Sequence, residues 1–363
     1  MPHTVLIDAF YTGGINGHGG DHRTAQILEL LEKAAFEVAM IQKPGLETRR
    51  DRVWMGIRSI ANLKTLQFIL KYPQQTIFSP LKALLPGFQA QIYGQALQNH
   101  AGSKLLLWET TKHFAIPEIA KAHRFNVVAL PHNLDCFVLD PKQFHQNFDL
   151  EVSSLQAADA VFCISREEQW LLKLKGVDAD YLPYYPPAAI VERLLEIREL
   201  RATSVKEKLL ILGSAGNVPT FHGMIEQLQW LQALRTQQEF SVDIVGYRTE
   251  LLQPHCQHDD FVVHGTATPE ELDEFLTHAT VALVHQKAAA GVLTRIPELL
   301  IAGVPVIANL VAARSAIEFS GLYCYETRSE LATLLTQSFE MPEILPRPTD
   351  AEKRFIDRIR QLS

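Results

Sequence analysis

Short runs of continuously apolar residues alternate along this chain with longer stretches of mixed polarity at helical spacing. In the first half, Thr4–Phe10 (TVLIDAF), Glu37–Gln42, Thr76–Ser79, Leu105–Trp108, Val127–Leu130 and Ala160–Ile164 read as buried strands, and Asp180–Leu182 adds a short one before the stiff segment PYYPP. The pattern then restarts with Leu209–Leu212, Ser241–Val245, Phe261–Val263, Val281–His285 and Val304–Ala308. Strands that are apolar on both sides belong to parallel sheets covered by helices on each face. The helices between them carry punctuation. Ser165 precedes Glu167 and Glu168, and Thr268 precedes Pro269, Glu270 and Glu271, each an N-cap followed by a helix start. The run Val292–Ala302 reads as a helix stopped by Gly303, with Pro305 just beyond. Amphipathic helices are also expected at Thr24–Ala35, Met224–Arg235, Ser329–Phe339 and Asp350–Leu362. The repeated strand–helix order predicts an α/β protein of two Rossmann-like domains divided near Pro187, with a ligand cleft expected between them.

One stretch stands apart in charge. Residues 43–75 hold seven Lys/Arg against Glu47 and Asp51, interleaved with Trp54, Met55, Ile57, Ile60, Leu63, Leu66 and Phe68 at near-helical spacing. A basic amphipathic helix of this kind fits an anionic lipid surface or an acidic acceptor. Most amphipathic helices simply face a core, and the core-facing reading is preferred on that ground.

Composition narrows the function classes. The chain has 363 residues, is 47% hydrophobic and 21% charged, and carries a net charge of −7, which suits a folded soluble enzyme and argues against nucleic acid as the main partner. The N-terminus lacks a basic start with a long apolar core, and no apolar run reaches the ~20 residues of a membrane span. A cytoplasmic chain is therefore expected, with segment 43–71 as the candidate for peripheral membrane contact. The four cysteines form no CxxC, so neither zinc nor a redox dithiol is indicated.

Two glycine-rich loops follow the first strand of each half. In the first, Gly13 to Gly20, the best match to a dinucleotide fingerprint meets His22 where a third glycine is required, and the second strand ends without an acid for the ribose. An NAD-dependent oxidoreductase is thus a distant reading. The second loop is GSAGN, Gly213–Asn217. Asp178 and Asp180 have the spacing of a metal-binding pair, but a metal gathers more oxygens than two, and they read as a turn. His132, in PHNLD, lies at the carboxyl end of a strand, where sheets of this type bind ligands. His113 is a weaker candidate of the same kind. Gly291, Val292 and Leu293 open the helix that carries Arg295 and Glu298 three residues apart on one face. A helix N-terminus beside an arginine suits a diphosphate, and the glutamate suits ribose hydroxyls.

Taken together, TGGINGHGG, PHN, the proline-rich segment, GSAGN and above all GVLTRIPELLIAGVPVIAN make the chain similar to the GT-B glycosyltransferases, and most to the retaining glycosyltransferase family four. The resemblance covers nearly the whole chain. It implies two facing Rossmann-like domains: an acceptor-side domain at 1–187, a nucleotide-sugar domain at 188–345 and a terminal helix at 346–363 crossing back. It implies that Gly13 and Gly14 approach the donor diphosphate and that His132 sits beside the donor sugar. Arg295 takes the diphosphate-binding place and Glu298 the ribose-binding place, with Gly213, Ser214, Gly291, Val292 and Leu293 lining the donor. Catalytic roles fall to His132 and Arg295, and no metal or cofactor is implied. The donor would be a nucleoside-diphosphate sugar, UDP- or GDP-linked, and the acceptor a hydroxyl on a glycan, a lipid-linked sugar or a small molecule. The family's first glutamate would stand eight residues before Glu298, where this chain has Ala290. No second phosphate-binding cation is evident, Lys287 and Arg248 being weak candidates. Two alternatives stay open: a nucleotide-sugar-binding protein with little or no turnover, and a sugar-nucleotide epimerase. Nothing in the sequence indicates an oligomeric state.

Overall fold

A computed structural model describes residues 4–9, 11–15, 17–41, 49–71, 84–100, 102–109, 111, 113–137, 144–287 and 290–363. The strand expected at Thr76–Ser79 lies outside the described residues, as does the start of the basic segment at 43–48.

The chain forms two compact units. The first comprises Met1–Thr12, Ile27–Pro183 and Thr349–Ser363. Its sheet contains β1 (Thr4–Asp8), β2 (Glu37–Met40), β3 (Leu105–Trp108), β4 (Asn126–Ala129), β5 (Ala160–Cys163) and β6 (Ala179–Tyr181), in the order β2-β1-β3-β4-β5-β6. Every pairing is parallel. Because side chains alternate across a strand, Leu6, Leu106, Trp108, Val127 and Val161 face one apolar layer, while Val5, Ile7, Leu105, Leu107 and Phe162 face another. The second layer includes the terminal helix, Thr349–Leu362. Phe355 stacks edge-on against Phe162 at 5.1 Å, and Asn126 Nδ2 donates to the Leu362 carbonyl at 2.6 Å. Asp180 is not in a turn: it lies within β6, where its Oδ2 accepts from Arg354 Nε at 3.1 Å.

The second unit comprises Gly13–Gln26 and Tyr184–Pro348. Its sheet contains β7 (Lys208–Leu212), β8 (Val242–Val245), β9 (Phe261–Gly265), β10 (Ala279–Val284), β11 (Val306–Asn309) and β12 (Leu322–Tyr325). The order is β12-β11-β10-β7-β8-β9, again fully parallel. Renumbered within the unit, this is the 3-2-1-4-5-6 order of a doubly wound nucleotide-binding sheet, reversing direction between β7 and β10. Thr268 forms a full capping box with Glu271, and Gly303 takes the left-handed φ of 78° that ends its helix.

Gly13–Gln26 groups with the second unit, within the range read as the first domain. Gly19 explains part of this: a Cβ there would fall 2.1 Å from Thr294 Oγ1, so only glycine permits the approach. Two other expectations need correction. The helix expected from Val292 begins at Arg295 instead. A helix from Val292 would need the Pro297 N–H to reach the Leu293 carbonyl, and proline has none. That carbonyl instead accepts from Ile296 N at 3.0 Å, and Gly291 turns at φ 63°. Finally, the basic amphipathic segment forms two helices, Arg49–Ala61 and Leu63–Lys71, and six of their apolar side chains do not face a core. Val53, Trp54, Ile57, Ile60, Leu63 and Leu70 are all exposed.

Candidate active site

The reversal point of the second sheet assembles most of the sequence-predicted residues. β7 runs directly into Gly213, and Asn217 caps the following helix, Val218–Arg235, by accepting from Thr220 N at 3.2 Å. Gly213 is held by its own N–H donating to Val245 O at 3.1 Å. Ser214 continues that turn, its carbonyl accepting from Asn217 N. The neighbouring strand closes with Gly246 at φ 135°, so near that a Cβ there would lie 2.0 Å from the Gly213 carbonyl. β10 ends beside β7 and runs into the loop that carries Gly291, Val292 and Leu293. Asn309, at the end of β11, clamps that loop: its Oδ1 accepts from Gln286 N at 3.0 Å and its Nδ2 donates to Gln286 O at 2.9 Å. Farther along, Arg314 donates to the Gly291 carbonyl at 2.5 Å.

Arg295 projects from the first turn of the helix Arg295–Ile301 toward Gly213, whose missing Cβ would lie 2.6 Å from Nη1. The side chain is partly buried, with Nε enclosed. Among the described residues its guanidinium finds no acceptor. Burial pushes its pKa down to about 10. A desolvated cation without a counter-charge is costly and favours an anion, and it lies where open α/β sheets bind their ligands.

Glu298, one turn on, is gripped by two residues. Its Oε1 accepts from Tyr184 Oη and lies 2.8 Å from His22 Nδ1, while no described residue contacts Oε2. Burial alone would lower His22, but the hydrogen bond and charge of Glu298 outweigh it and leave His22 raised. Tyr184 is pushed well above the ordinary phenol range by burial and then by the Glu298 carboxylate. Gly13, at φ 74°, and Gly14, whose carbonyl accepts from Gly17 N at 3.1 Å, form the turn leading to His22. The same unit therefore carries Gly13, Gly14, Gly213, Ser214, Gly291, Val292, Leu293, Arg295 and Glu298. Of the weaker candidates, Lys287 lies 3.7 Å from Glu226 and Arg248 precedes a 3-10 turn at φ 61°.

Sequence reasoning missed His22, Tyr184 and Arg314 as contributors. His22 had one visible signal, as the residue that broke the glycine fingerprint. Tyr184, in the proline-rich segment, had none.

His132 belongs to the first unit, just past β4, with its ring centroid 5.2 Å from that of Tyr11. Its Nε2 lies 3.9 Å from Glu109 Oε2, too far for a hydrogen bond. Glu109 follows β3, and Asp8 ends β1 with its Oδ2 accepting from Tyr93 Oη at 2.7 Å. These acids occupy the reversal point of the first sheet, so both sheets concentrate polar side chains at the same topological position. His113 contacts Gln89 instead, 2.7 Å from its Nε2.

The fold defines the class: this is a GT-B architecture of two Rossmann-like domains. Among solved structures, the chain is similar over 100% of its length to 95% of a sucrose-phosphate synthase from Thermosynechococcus elongatus, at 17% identity and TM-score 0.59. It is similar in the same way to Anabaena HepE in complex with UDP and glucose, at 13% identity and TM-score 0.61, each chain covered fully. A UDP-forming α,α-trehalose-phosphate synthase from Burkholderia xenovorans aligns at TM-score 0.66 and 11% identity, over 100% of this chain and 99% of that one. No protein-family model and no curated protein matches the chain.

Proposed function

We propose that this protein is a glycosyltransferase that moves a sugar from a nucleoside-diphosphate sugar to a hydroxyl acceptor. The observation that carries the reading is Arg295: a partly buried guanidinium whose enclosed Nε has no acceptor among the described residues, resting on Gly213 at the reversal point of a doubly wound sheet. UDP is the preferred nucleotide, since the similar solved structures include one holding UDP and another named UDP-forming.

When the bond from the anomeric carbon to the diphosphate breaks, negative charge grows on the leaving phosphate. Arg295 meets that charge, the part a metal plays elsewhere, and preorganised donors of this kind are each worth about 3–4 kcal/mol. Glu298 accepts from the ribose hydroxyls through Oε2, with Oε1 fixed by His22 and Tyr184. His132 contributes a hydrogen bond to the donor sugar or acceptor. No separate nucleophile is required if the acceptor attacks from the leaving-group face, which retains the anomeric configuration. The protein would act in the cytoplasm.

The test is a panel of UDP-, GDP-, ADP- and dTDP-sugars, screened first by thermal shift and then with candidate acceptors by nucleotide release and proton NMR. The expected result is selective stabilisation by one nucleotide family, transfer in the absence of added metal, and an α-linked product from an α-linked donor. Donor binding with no transfer to any acceptor would instead make this a binding protein, a reading that Ala290 favours. An epimerised donor recovered without acceptor would make it an epimerase.

A further inference from the structure

An amphipathic helix in a folded domain normally turns its apolar stripe inward. The helix Arg49–Ala61 does otherwise. Its buried Gly56 lies against the neighbouring helix Leu85–Asn99, a Cβ there falling 3.4 Å from Phe88. The stripe Val53, Ile57 and Ile60, spaced as one face of a helix, stays in solvent with Trp54 at its edge. The next helix, Leu63–Lys71, repeats the pattern with Leu63 and Leu70, one heptad apart. The six side chains are 45–83% exposed, more than isolated surface apolar residues account for.

Charge indicates what covers this face. The two helices hold six Lys/Arg against the single acid Asp51, and the exposed Arg58 is among them, in a chain whose net charge is −7. A second copy of the chain would bring two segments with this surplus of positive charge together in a two-fold contact. An exposed apolar stripe with a tryptophan at its border and a surplus of cations fits an interfacial helix on anionic lipid. We propose that Arg49–Lys71 is a peripheral docking surface for an anionic phospholipid bilayer. The apolar stripes enter the headgroup boundary, and the cations meet lipid phosphate.

The experiment is co-flotation of the full chain with vesicles of phosphatidylcholine alone and of equimolar phosphatidylcholine and phosphatidylglycerol. Wild-type protein is expected to float with the anionic vesicles about tenfold more than with the neutral ones, and high salt is expected to release it. Trp54 emission, taken as the difference between wild type and Trp54→Phe, is expected to shift to the blue on binding. The double variant Ile57→Glu with Ile60→Glu alters exposed positions only, so its circular dichroism and melting are expected to match wild type while flotation is lost. Arg58→Glu is expected to reduce flotation severalfold with the same fold intact. Equal flotation of wild type and the double variant would overturn the proposal, as would wild type floating with neither vesicle. A concentration-dependent dimer abolished by the double variant, with no vesicle binding, would also overturn it by assigning the face to self-association.

Discussion

The most discriminating perturbation is Arg295→Met, which keeps an unbranched stem but removes the charge. Burial holds Arg295 at about 10 against an ordinary 12.5, a bias against the charged form worth about 3 kcal/mol. No described residue returns that energy, because the guanidinium lacks an acceptor. The apo protein is therefore expected to gain stability, or at least lose none, when Met replaces Arg. Released in part, the penalty corresponds to roughly 1–2 kcal/mol, or a melting point higher by about 2–6 °C for a domain of this size. Nucleotide binding is expected to move the other way. A charge-assisted contact to phosphate contributes about 2–3 kcal/mol, so the Kd for UDP should rise roughly 30- to 150-fold. Differential scanning fluorimetry reads the first quantity and isothermal titration calorimetry the second. Arg295→Lys, which keeps the charge without the planar fork, is expected to fall between. A destabilised Arg295→Met with unchanged UDP affinity would refute the reasoning, since the arginine would then be serving the fold and not an anion.

Other outcomes follow from the same geometry. Tyr184→Phe removes one of the two donors on Glu298 Oε1 and is expected to weaken UDP binding by about fivefold, or 1 kcal/mol; an unchanged Kd by calorimetry would remove Tyr184 from the site. Gly246→Ala places a Cβ 2.0 Å from the Gly213 carbonyl at a φ of 135°, and is expected to cost more than about 3 kcal/mol in urea unfolding. Glu151, buried and accepting from Asp135 N and Cys136 N at 2.8 and 3.0 Å, is pushed up to about 7 by burial. The folded state therefore holds a proton that the unfolded state releases above the ordinary carboxylate range. This contribution, up to about 3 kcal/mol, is full below pH ~4.5 and lost as pH rises through ~7. Urea midpoints at pH 5 and pH 8 should show wild type losing stability relative to Glu151→Gln; parallel profiles would contradict the assignment.

Much of the fold was legible because parallel strands buried on both faces leave a signal needing no partner. LLLW, AVFC and ATVALV are apolar at every position or nearly so, and each is a strand. Capping is equally local, which is why Thr268 and Ser165 read correctly from a few residues. What failed was information not contained in a window. The spacing of Val53, Ile57 and Ile60 is the same whether the stripe meets a core or solvent, so periodicity could not show which. Helix Leu85–Asn99 begins LPG and mixes glutamines into its apolar face, leaving no clean period to read. The misplaced start at Val292 was avoidable, because Pro297 forbids the hydrogen bond that such a helix needs.

The site divides along the same line. Arg295 and Glu298 were readable as a pair because both ride one helix, whereas the grip on Glu298 comes from His22, 276 residues away. Nothing in a linear pattern announces a contact at that separation, and the histidine registered only as a defect in a glycine motif. Its placement has a consequence for the proposed donor contact. Both gripping donors use Oε1, so the carboxylate plane is fixed by the unit as a whole, and Oε2 alone is left to accept from a ribose. With Ala290 where the resembling family has its first glutamate, that single oxygen is the one carboxylate acceptor the helix and its preceding loop offer a donor. Discrimination among sugars then has to come from elsewhere than this loop, whereas discrimination between nucleotides depends on how rigidly His22 and Tyr184 hold one carboxylate.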